Sequence, residues 1–429
     1  MKKTLTKIAL GLLCLALVFT SCNPPSYSKS MEDVKTSTVN LTNYEPLDIK
    51  PIQADSVNSS EYIRGFDASA LYALERNGAI FYDSDNSEKD MLTILKNHGV
   101  NWIRLRVWNN PYSQAAGTAD NTGFCDINKA KEISVRAKAL GMKVLIDFHY
   151  SDTWADPAKQ NLPAAWDKYA NDADVAEAVY DFTKRSLTIL KKAGATPDMV
   201  QIGNEIDSGM FLKKSDGTNV AFKKEDLPTF LEKASAAVRD VNSKIKVMIH
   251  TTSRNSGNNA KGVLDLLDSS TYDVIGLSYY PFYDHGTLGT LESTIQSLKS
   301  TYGKEVVIAE TSFAYTVDWI EGKNDDTSNT LSYDGLATAL TSLGDYFEGY
   351  EYESGKYCIE PSIQNQAEVI RAIMEVSANA GATGVFYWGG ELVSTTSIPS
   401  SWENQALFDL DGKVLPSIDV FNVQSKVAE

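Results

Sequence analysis

From Tyr62 onward the chain alternates short, continuous apolar runs with longer stretches of helix-period character. The runs predict strands at Ile63 to Asp67, Trp102 to Val107, Lys143 to His149, Met199 to Asn204, Lys246 to Thr251, Val274 to Tyr280, Glu305 to Glu310 and Gly384 to Trp388. Several of these runs are apolar throughout, which suits parallel strands covered on both faces. Helices between them have legible ends. Ser87 is expected to cap a helix ending near Asn97-His98-Gly99, and Asp126 to cap Ile127 to Leu140, which stops at Gly141. Further helices fit Asp174 to Ala193, Glu225 to Val241, Leu291 to Tyr302 and Ser362 to Ala380. Strand then helix, repeated eight times without a second domain's break, predicts an α/β fold of the closed (β/α)8 TIM-barrel type. The rival, an open doubly wound sheet, would usually carry a glycine-rich phosphate turn after its first strand, and neither that pattern nor a P-loop occurs. The connection from Glu310 to Gly384 is far longer than usual, so the barrel should have a long loop after strand 7 that walls part of a cleft.

The chain ends read differently. Residues 1–22 open with Lys2 and Lys3, continue through an apolar run from Ile8 to Phe19 and close with Thr20-Ser21-Cys22. This is an export signal whose end resembles a bacterial lipoprotein signal, implying cleavage before Cys22 and lipidation of its thiol. The protein would then be exported and lipid-anchored in the cell envelope, at the outer membrane and facing the cell surface. Residues 23–60, with Pro24-Pro25 and many Ser, Thr and Asn, read as a polar tether, leaving residues 61–425 as the (β/α)8 domain. A net charge of -16 argues against nucleic acid as the partner. Cys125 and Cys358 are the only cysteines beyond the leader, too few for a disulfide framework, and the four histidines show no metal-ligand spacing. No heptads or repeats suggest more than a monomer.

Two strand ends carry chemistry. Met199-Val200-Gln201-Ile202-Gly203 leads into Asn204-Glu205, and Val306-Val307-Ile308-Ala309 ends on Glu310. A Glu after a strand is common, and either alone could be a solvated loop residue or an ion-pair partner. Two of them at the mouth of one barrel supply what glycoside hydrolysis needs, one carboxyl protonated as acid and one ionised. The other strand ends bring Asp67 with Ser69, Arg104 and Arg106, His149 with Tyr150 and Asp152, His250, Tyr279 with Tyr280, and Trp388 to the same mouth. Arg104 and Arg106 share a face by the period of two, so at least one should point into the barrel top and hold a carboxylate ionised. Trp388 offers an aromatic floor to a sugar ring. Trp154 and Trp319 fall in predicted cleft loops, whereas Trp102, Trp166 and Trp402 read as packing.

Taken together, Gly65-Phe66-Asp67-Ala68-Ser69, Trp102 to Trp108, Asp147 to Pro157, Gly203-Asn204-Glu205, Gly276 to Phe282 and Ala309-Glu310-Thr311 resemble glycoside hydrolase family 53, the endo-β-1,4-galactanases. The Asn-Glu and Glu pair alone would give only the wider clan A of retaining glycosidases. The resemblance implies a retaining enzyme in which Glu205 is the acid/base and Glu310 the nucleophile. Asn204 would hold the sugar 2-hydroxyl, Tyr279 or Tyr280 and an arginine of strand two would orient Glu310, and Asp67, His149, Asp152 and Trp388 would line subsites. It implies no catalytic cofactor and a β-1,4-galactan or galacto-oligosaccharide as substrate. Two stretches depart from the family: His250 is followed by Thr251-Thr252-Ser253-Arg254-Asn255 rather than Leu-Asp-Asn, and Trp388 by Gly389-Gly390-Glu391 rather than Glu-Pro. Bacterial members tend to carry calcium in the loop after strand seven. Asp318, Asp325 and Asp326 supply oxygen ligands there without a histidine, so the stretch is either a structural calcium site or a solvated acidic loop. The alternatives to a galactanase are a clan A β-mannanase or β-glucanase, and a surface glycan-binding protein that has lost its chemistry.

Overall fold

The structure, a computed structural model, describes residues 44–113, 125–283, 285–316, 350–353, 356–359, 361–395, 400 and 402–422. Eight parallel strands close into a barrel: β1 (Ile63–Asp67), β2 (Trp102–Val107), β3 (Lys143–Phe148), β4 (Met199–Ile202), β5 (Lys246–Thr252), β6 (Val274–Ser278), β7 (Glu305–Thr311) and β10 (Gly384–Tyr387). β10 closes the ring on β1 with Ile63 opposite Gly384. Between β7 and β10, strands β8 (Tyr350–Glu353) and β9 (Lys356–Cys358) pair antiparallel with each other inside the expected long connection.

All eight expected strands are present, but their carboxyl ends shift. β3, β4, β6 and β10 stop at Phe148, Ile202, Ser278 and Tyr387, so His149, Asn204, Tyr279, Tyr280 and Trp388 lie just past the ladder. β5 and β7 each run one residue further than expected, to Thr252 and Thr311. The early stops put side chains on turning backbone at the mouth, where they can converge.

Helix caps are set by side-chain oxygens as expected, with two reassignments. Asp90, not Ser87, caps α2 (Met91–Asn97), accepting from the Thr93 amide at 3.0 Å; the Ser87 amide instead donates to Asp85 within a turn. Asn171 caps α4 (Asp172–Lys192) by accepting from the Asp174 amide, so that helix begins two residues early. Asp126 caps α3 (Ile127–Ala139) as expected. The helix α5 (Leu227–Val241) opens with a proline in its first turn, where no amide hydrogen is needed. Thr287 caps α7 (Leu288–Tyr302), and Ser362 caps the helix Ile363–Asn379. Two further helices, α1 (Leu71–Arg76) and α6 (Asn258–Leu264), are too short to show a period in sequence.

Two cores flank the sheet. Outside it, helix faces pack on the strands; inside the lower barrel, Ile63, Trp102, Leu145, Met199, Met248, Val274, Val307, Ala309 and Phe386 form an apolar plug. Gly65 is required by that plug, since a Cβ there would lie 2.1 Å from the Phe386 ring. Above it the inward positions turn polar, and this change of layer positions the site.

Residues 44–60, expected as part of a free tether, are docked on the barrel. Ala54 and Val57 are buried, the Tyr44 hydroxyl donates to Asp419 at 2.7 Å, and the Lys50 amide donates to Glu368 at 3.2 Å. Scattered apolar anchors achieve this without the regular period that sequence reading depends on. Cys22, Asp318, Trp319, Asp325 and Asp326 lie outside the described residues. Among the described residues no helix is long and apolar enough to cross a membrane.

Candidate active site

Chain direction at the mouth is set by left-handed backbone. After β4 the chain turns at Gly203 (φ 94°), where a Cβ would meet Ile206 at 2.8 Å, and Glu205 itself sits at φ 45°. A non-glycine residue there costs on the order of 1 kcal/mol and persists only where its surroundings hold it. Here the Gln160 amide donates to the carbonyl of Asn204 at 2.9 Å and of Glu205 at 3.3 Å, fixing the turn from outside.

Arg104 of β2 stands at the centre of the polar layer, 1% exposed. Nη1 donates to Asp67 (2.8 Å), and Nη2 to Asp147 (2.9 Å), Glu310 (2.8 Å) and Asn204 Oδ1 (3.0 Å), while Nε and Nη2 share Gln201 Oε1 at 3.2 and 3.1 Å. Three carboxylates around one cation outweigh the cost of burying the guanidinium, and its pKa lies above the ordinary arginine value. Asp67 is fixed in turn by the Ser69 amide and hydroxyl.

Two histidines support this layer from below. His149 accepts at Nδ1 from Trp108 Nε1 (3.2 Å) and the Ala155 amide (3.1 Å), which leaves its proton on Nε2, aimed at Asp147 Oδ2 at 3.1 Å. Burial keeps this imidazole neutral, its pKa below the usual range. His250 is wholly buried and touches Gln201, Asn204 and Ser278. Both rings are buried and bonded within the polar layer, His149 to Asp147 and His250 to Gln201, Asn204 and Ser278, which gives them a positioning role there.

The two glutamates have unlike surroundings. Glu310 accepts from Arg104 at Oε1 and from the Tyr280 hydroxyl at Oε2, 2.9 Å away. Burial raises its pKa, but the guanidinium and the phenol act against that. Glu205 has no cationic partner among the described residues, and burial together with the Glu310 charge raises its pKa well above the ordinary value. The first proton taken up by the pair therefore belongs on Glu205, with Glu310 the ionised member. Tyr280 is held protonated by burial and the Glu310 charge, so it stays a donor.

An aromatic wall flanks the pair. Trp154 meets Trp388 at 6.0 Å between ring centres, and Trp388 meets Trp402 edge-on at 4.8 Å; Trp402 in turn approaches Tyr280 at 6.5 Å. Trp402, read from sequence as packing, is thus part of the wall, and Trp388 remains partly exposed. Arg106 stacks over Trp154 at 3.9 Å and donates to Cys125 Sγ at 3.3 Å, bracing the wall, and its charge opposes the rise that burial gives the pKa of the Glu391 carboxyl. Asp152 accepts from the Asn110 and Ala164 amides (2.9 and 3.0 Å), so it ties loops together. Tyr279 is buried and donates to the Gly286 carbonyl at 3.1 Å, which leaves Tyr280 as the tyrosine on Glu310.

Sequence reading missed Asp147, Gln201, Ser278, Trp108 and Trp402. A signal existed for the first two: Gln201 is the lone polar residue of β4 and Asp147 the one polar residue after Lys143 in β3, and the ladder sets Arg106 opposite Asp147 and Asp147 opposite Gln201. Among the described residues no group of three or more His, Cys, Asp or Glu is placed to hold a metal ion.

Comparison with known proteins gives the family. Residues 63–421 match the model of glycosyl hydrolase family 53. An endo-β-1,4-galactanase of Bacillus subtilis is 35% identical, the match covering 95% of each chain. An arabinogalactan endo-β-1,4-galactanase of Cellvibrio japonicus is 30% identical over 83% of this chain and 88% of its own. Among solved structures, the family 53 catalytic domain of Ignisphaera aggregans superposes with a TM-score of 0.73 at 36% identity, covering 88% of this chain and 99% of that one. A fungal β-1,4-galactanase superposes with a TM-score of 0.67 at 28% identity, over 84% of this chain and 99% of its own.

Proposed function

The chain belongs to glycosyl hydrolase family 53, and on that premise we propose that it is an endo-acting β-1,4-galactanase working by double displacement, with Glu310 as nucleophile and Glu205 as acid/base. The observation that carries the assignment of roles is the split environment of the pair: Arg104 and Tyr280 bond Glu310, while Glu205 lacks a cation among the described residues and holds the higher pKa. The substrate class rests on the galactanase and arabinogalactan galactanase relatives that match over most of the chain.

In the first step the ionised Glu310 attacks the anomeric carbon as Glu205 gives its proton to the departing glycosidic oxygen. A galactosyl ester forms on Glu310, and the aglycone leaves as an alcohol. Glu205, now a carboxylate, takes a proton from water, whose oxygen displaces Glu310 from the anomeric carbon. The enzyme returns to its starting state. Asn204 is held by its Nδ2 donating to the Ala155 carbonyl at 2.8 Å and its Oδ1 on Arg104, which supports its amide as the group that meets the sugar 2-hydroxyl. Asp67 and Asp147 share the guanidinium that Glu310 uses, fixing its direction.

Digestion of a panel of linear polysaccharides (β-1,4-galactan, β-mannan, β-glucan, xylan) beside Glu205→Ala and Glu310→Ala tests this reading. Cleavage of galactan alone, lost in both variants, supports it; galactan binding without release of reducing ends contradicts it. The Thr20-Ser21-Cys22 ending further supports a lipid-anchored place in the cell envelope. Labelling by radioactive palmitate that persists in Cys22→Ala would refute that part.

A further inference from the structure

Beyond β10 the chain runs Trp388-Gly389-Gly390-Glu391, and the two glycines bring it in against β1. Gly389 has φ 78°, and a Cβ at Gly390 would lie 2.4 Å from the Phe66 ring, so both positions call for glycine. The Leu392 amide closes the turn on the Gly389 carbonyl at 3.1 Å, and the Leu407 amide donates to the Gly390 carbonyl at 2.8 Å. The result is a Glu391 side chain buried beside the turn that follows β1, with the residue only 2% exposed.

There the amides of two consecutive residues hold two carboxyls. The Ser69 amide donates to Asp67 Oδ1 at 3.0 Å, and the Ala70 amide to Glu391 Oε1 at 3.2 Å. Asp67 has its cation, since Oδ2 accepts from Arg104 at 2.8 Å. Glu391 Oε2 is shielded from solvent and has no hydrogen-bond partner among the described residues. An ionised Glu391 would be a buried charge next to a second carboxylate, held by one amide. That costs more than the single unsatisfied hydroxyl of the neutral acid, so the neutral acid is the form that fits. The charged groups facing it are Asp67 of β1 and Arg106 of β2, with the Cys125 thiol bonding both Arg106 and the Ser69 carbonyl. The stretches 68–71 and 405–408, bonded to the turn through Ala70 and Leu407, carry no charge. Burial and the Asp67 charge push the Glu391 pKa up to about 8, against the pull of Arg106.

We propose that Glu391 is a positioning residue that works as a neutral acid, tying the Trp388 turn to the Asp67 turn of β1 and so holding the aromatic wall of the cleft against the polar layer. When its proton leaves, repulsion from Asp67 and the demand of the charge for water outweigh the stronger bond to one amide. The glycine turn then moves outward and tilts Trp388 away from Trp154 and Trp402, its neighbours in the wall. The consequence for substrate rests on the reading of this cleft as a galactanase site; the protonation of Glu391 does not.

Glu391→Gln keeps the size and the neutrality of the acid, and Glu391→Ala removes the tie. In the wild type, KM on galactan should rise about fivefold between about pH 7 and pH 9, and that rise should vanish in Glu391→Gln. Glu391→Ala should show the raised KM at every pH, with Gln restoring it. A wild-type KM that stays flat over this range, or a Gln variant as weak as the Ala variant, would overturn the proposal. Thermal unfolding needs no substrate. The Glu391 pKa is about 8 folded against about 4.3 unfolded, so wild-type stability falls as pH rises between the two. The Tm of Glu391→Gln relative to wild type should therefore climb over that window and level off above it. A gap that moves the other way would mean an ionised Glu391 and would overturn the proposal even if Glu391→Ala failed to fold. If the wild type left galactan uncut, the galactanase reading would be the part that fails, and the melting comparison would still decide the protonation.

Discussion

Replacing Tyr280 by Phe removes one hydrogen-bond donor from Glu310 and keeps the ring that packs against Phe282 at 5.5 Å and Trp402 at 6.5 Å. The hydroxyl lies 2.9 Å from Glu310 Oε2 and favours the ionised carboxyl. A hydrogen bond to a charged group contributes about 1.5–3 kcal/mol, and at roughly 1.4 kcal/mol per pH unit its loss raises the Glu310 pKa by about 1–2 units. Arg104 still holds Oε1, which places the expected shift near the lower end. The acidic limb of kcat/KM against pH reports the nucleophile in the free enzyme. It should therefore move toward neutrality by about one unit, so that below the limb Tyr280→Phe loses roughly tenfold in rate relative to wild type while the thermal midpoint barely changes. Steady-state hydrolysis of soluble galactan, measured across the pH range, reads this directly. An acidic limb in the same place as the wild type's would refute the role given to Tyr280 and weaken the case for Glu310 as the ionised partner.

Asp147→Asn should shift the same limb the other way, to lower pH, because the Asp147 charge raises the Glu310 pKa; a shift upward would contradict the polar layer as described. Trp388→Ala removes a partly exposed ring of the aromatic wall. Packing of a sugar face on that ring is worth about 1–2 kcal/mol, so without it KM on galactan should rise roughly 5- to 30-fold with kcat less affected. A kcat defect at unchanged KM would place Trp388 elsewhere in function. At the base of the barrel, His98 bonds Asp419 at Nδ1 (2.7 Å) and Asp83 at Nε2 (2.9 Å). Burial opposes its charge, but the two carboxylates prevail and its pKa is raised. The stabilisation is complete below about pH 6.5, the unfolded value, and is lost as pH rises through the folded one. The melting-temperature gap between wild type and His98→Asn should thus be largest in mild acid and shrink as pH rises; a gap that widens with pH would refute it.

The barrel was legible because parallel strands covered on both faces print as largely apolar runs, and all eight stood out. The two glutamates proposed as the catalytic pair stood out because each closely follows such a run. What the sequence hid depended on geometry across strands. Asp147 and Gln201 looked like blemishes in strands until their side-chain hydrogen bonds gathered them around Arg104. His149 and His250 lie near strand ends, as predicted, but only the structure shows their rings buried and bonded to Asp147, Gln201, Asn204 and Ser278. Residues 44–60 offered composition without period, so their docking through Tyr44, Ala54 and Val57 depended on partners as distant as Asp419.

The most direct test of the central claim is the anomeric configuration of the first product released from β-1,4-galactan, followed by ¹H NMR in the opening minutes of digestion. Double displacement on Glu310 with Glu205 as acid and then base predicts that the new reducing end appears first as the β-anomer, with the α-anomer growing in only by mutarotation. An α-anomer released first would mean direct attack by water and would contradict the nucleophile assigned to Glu310.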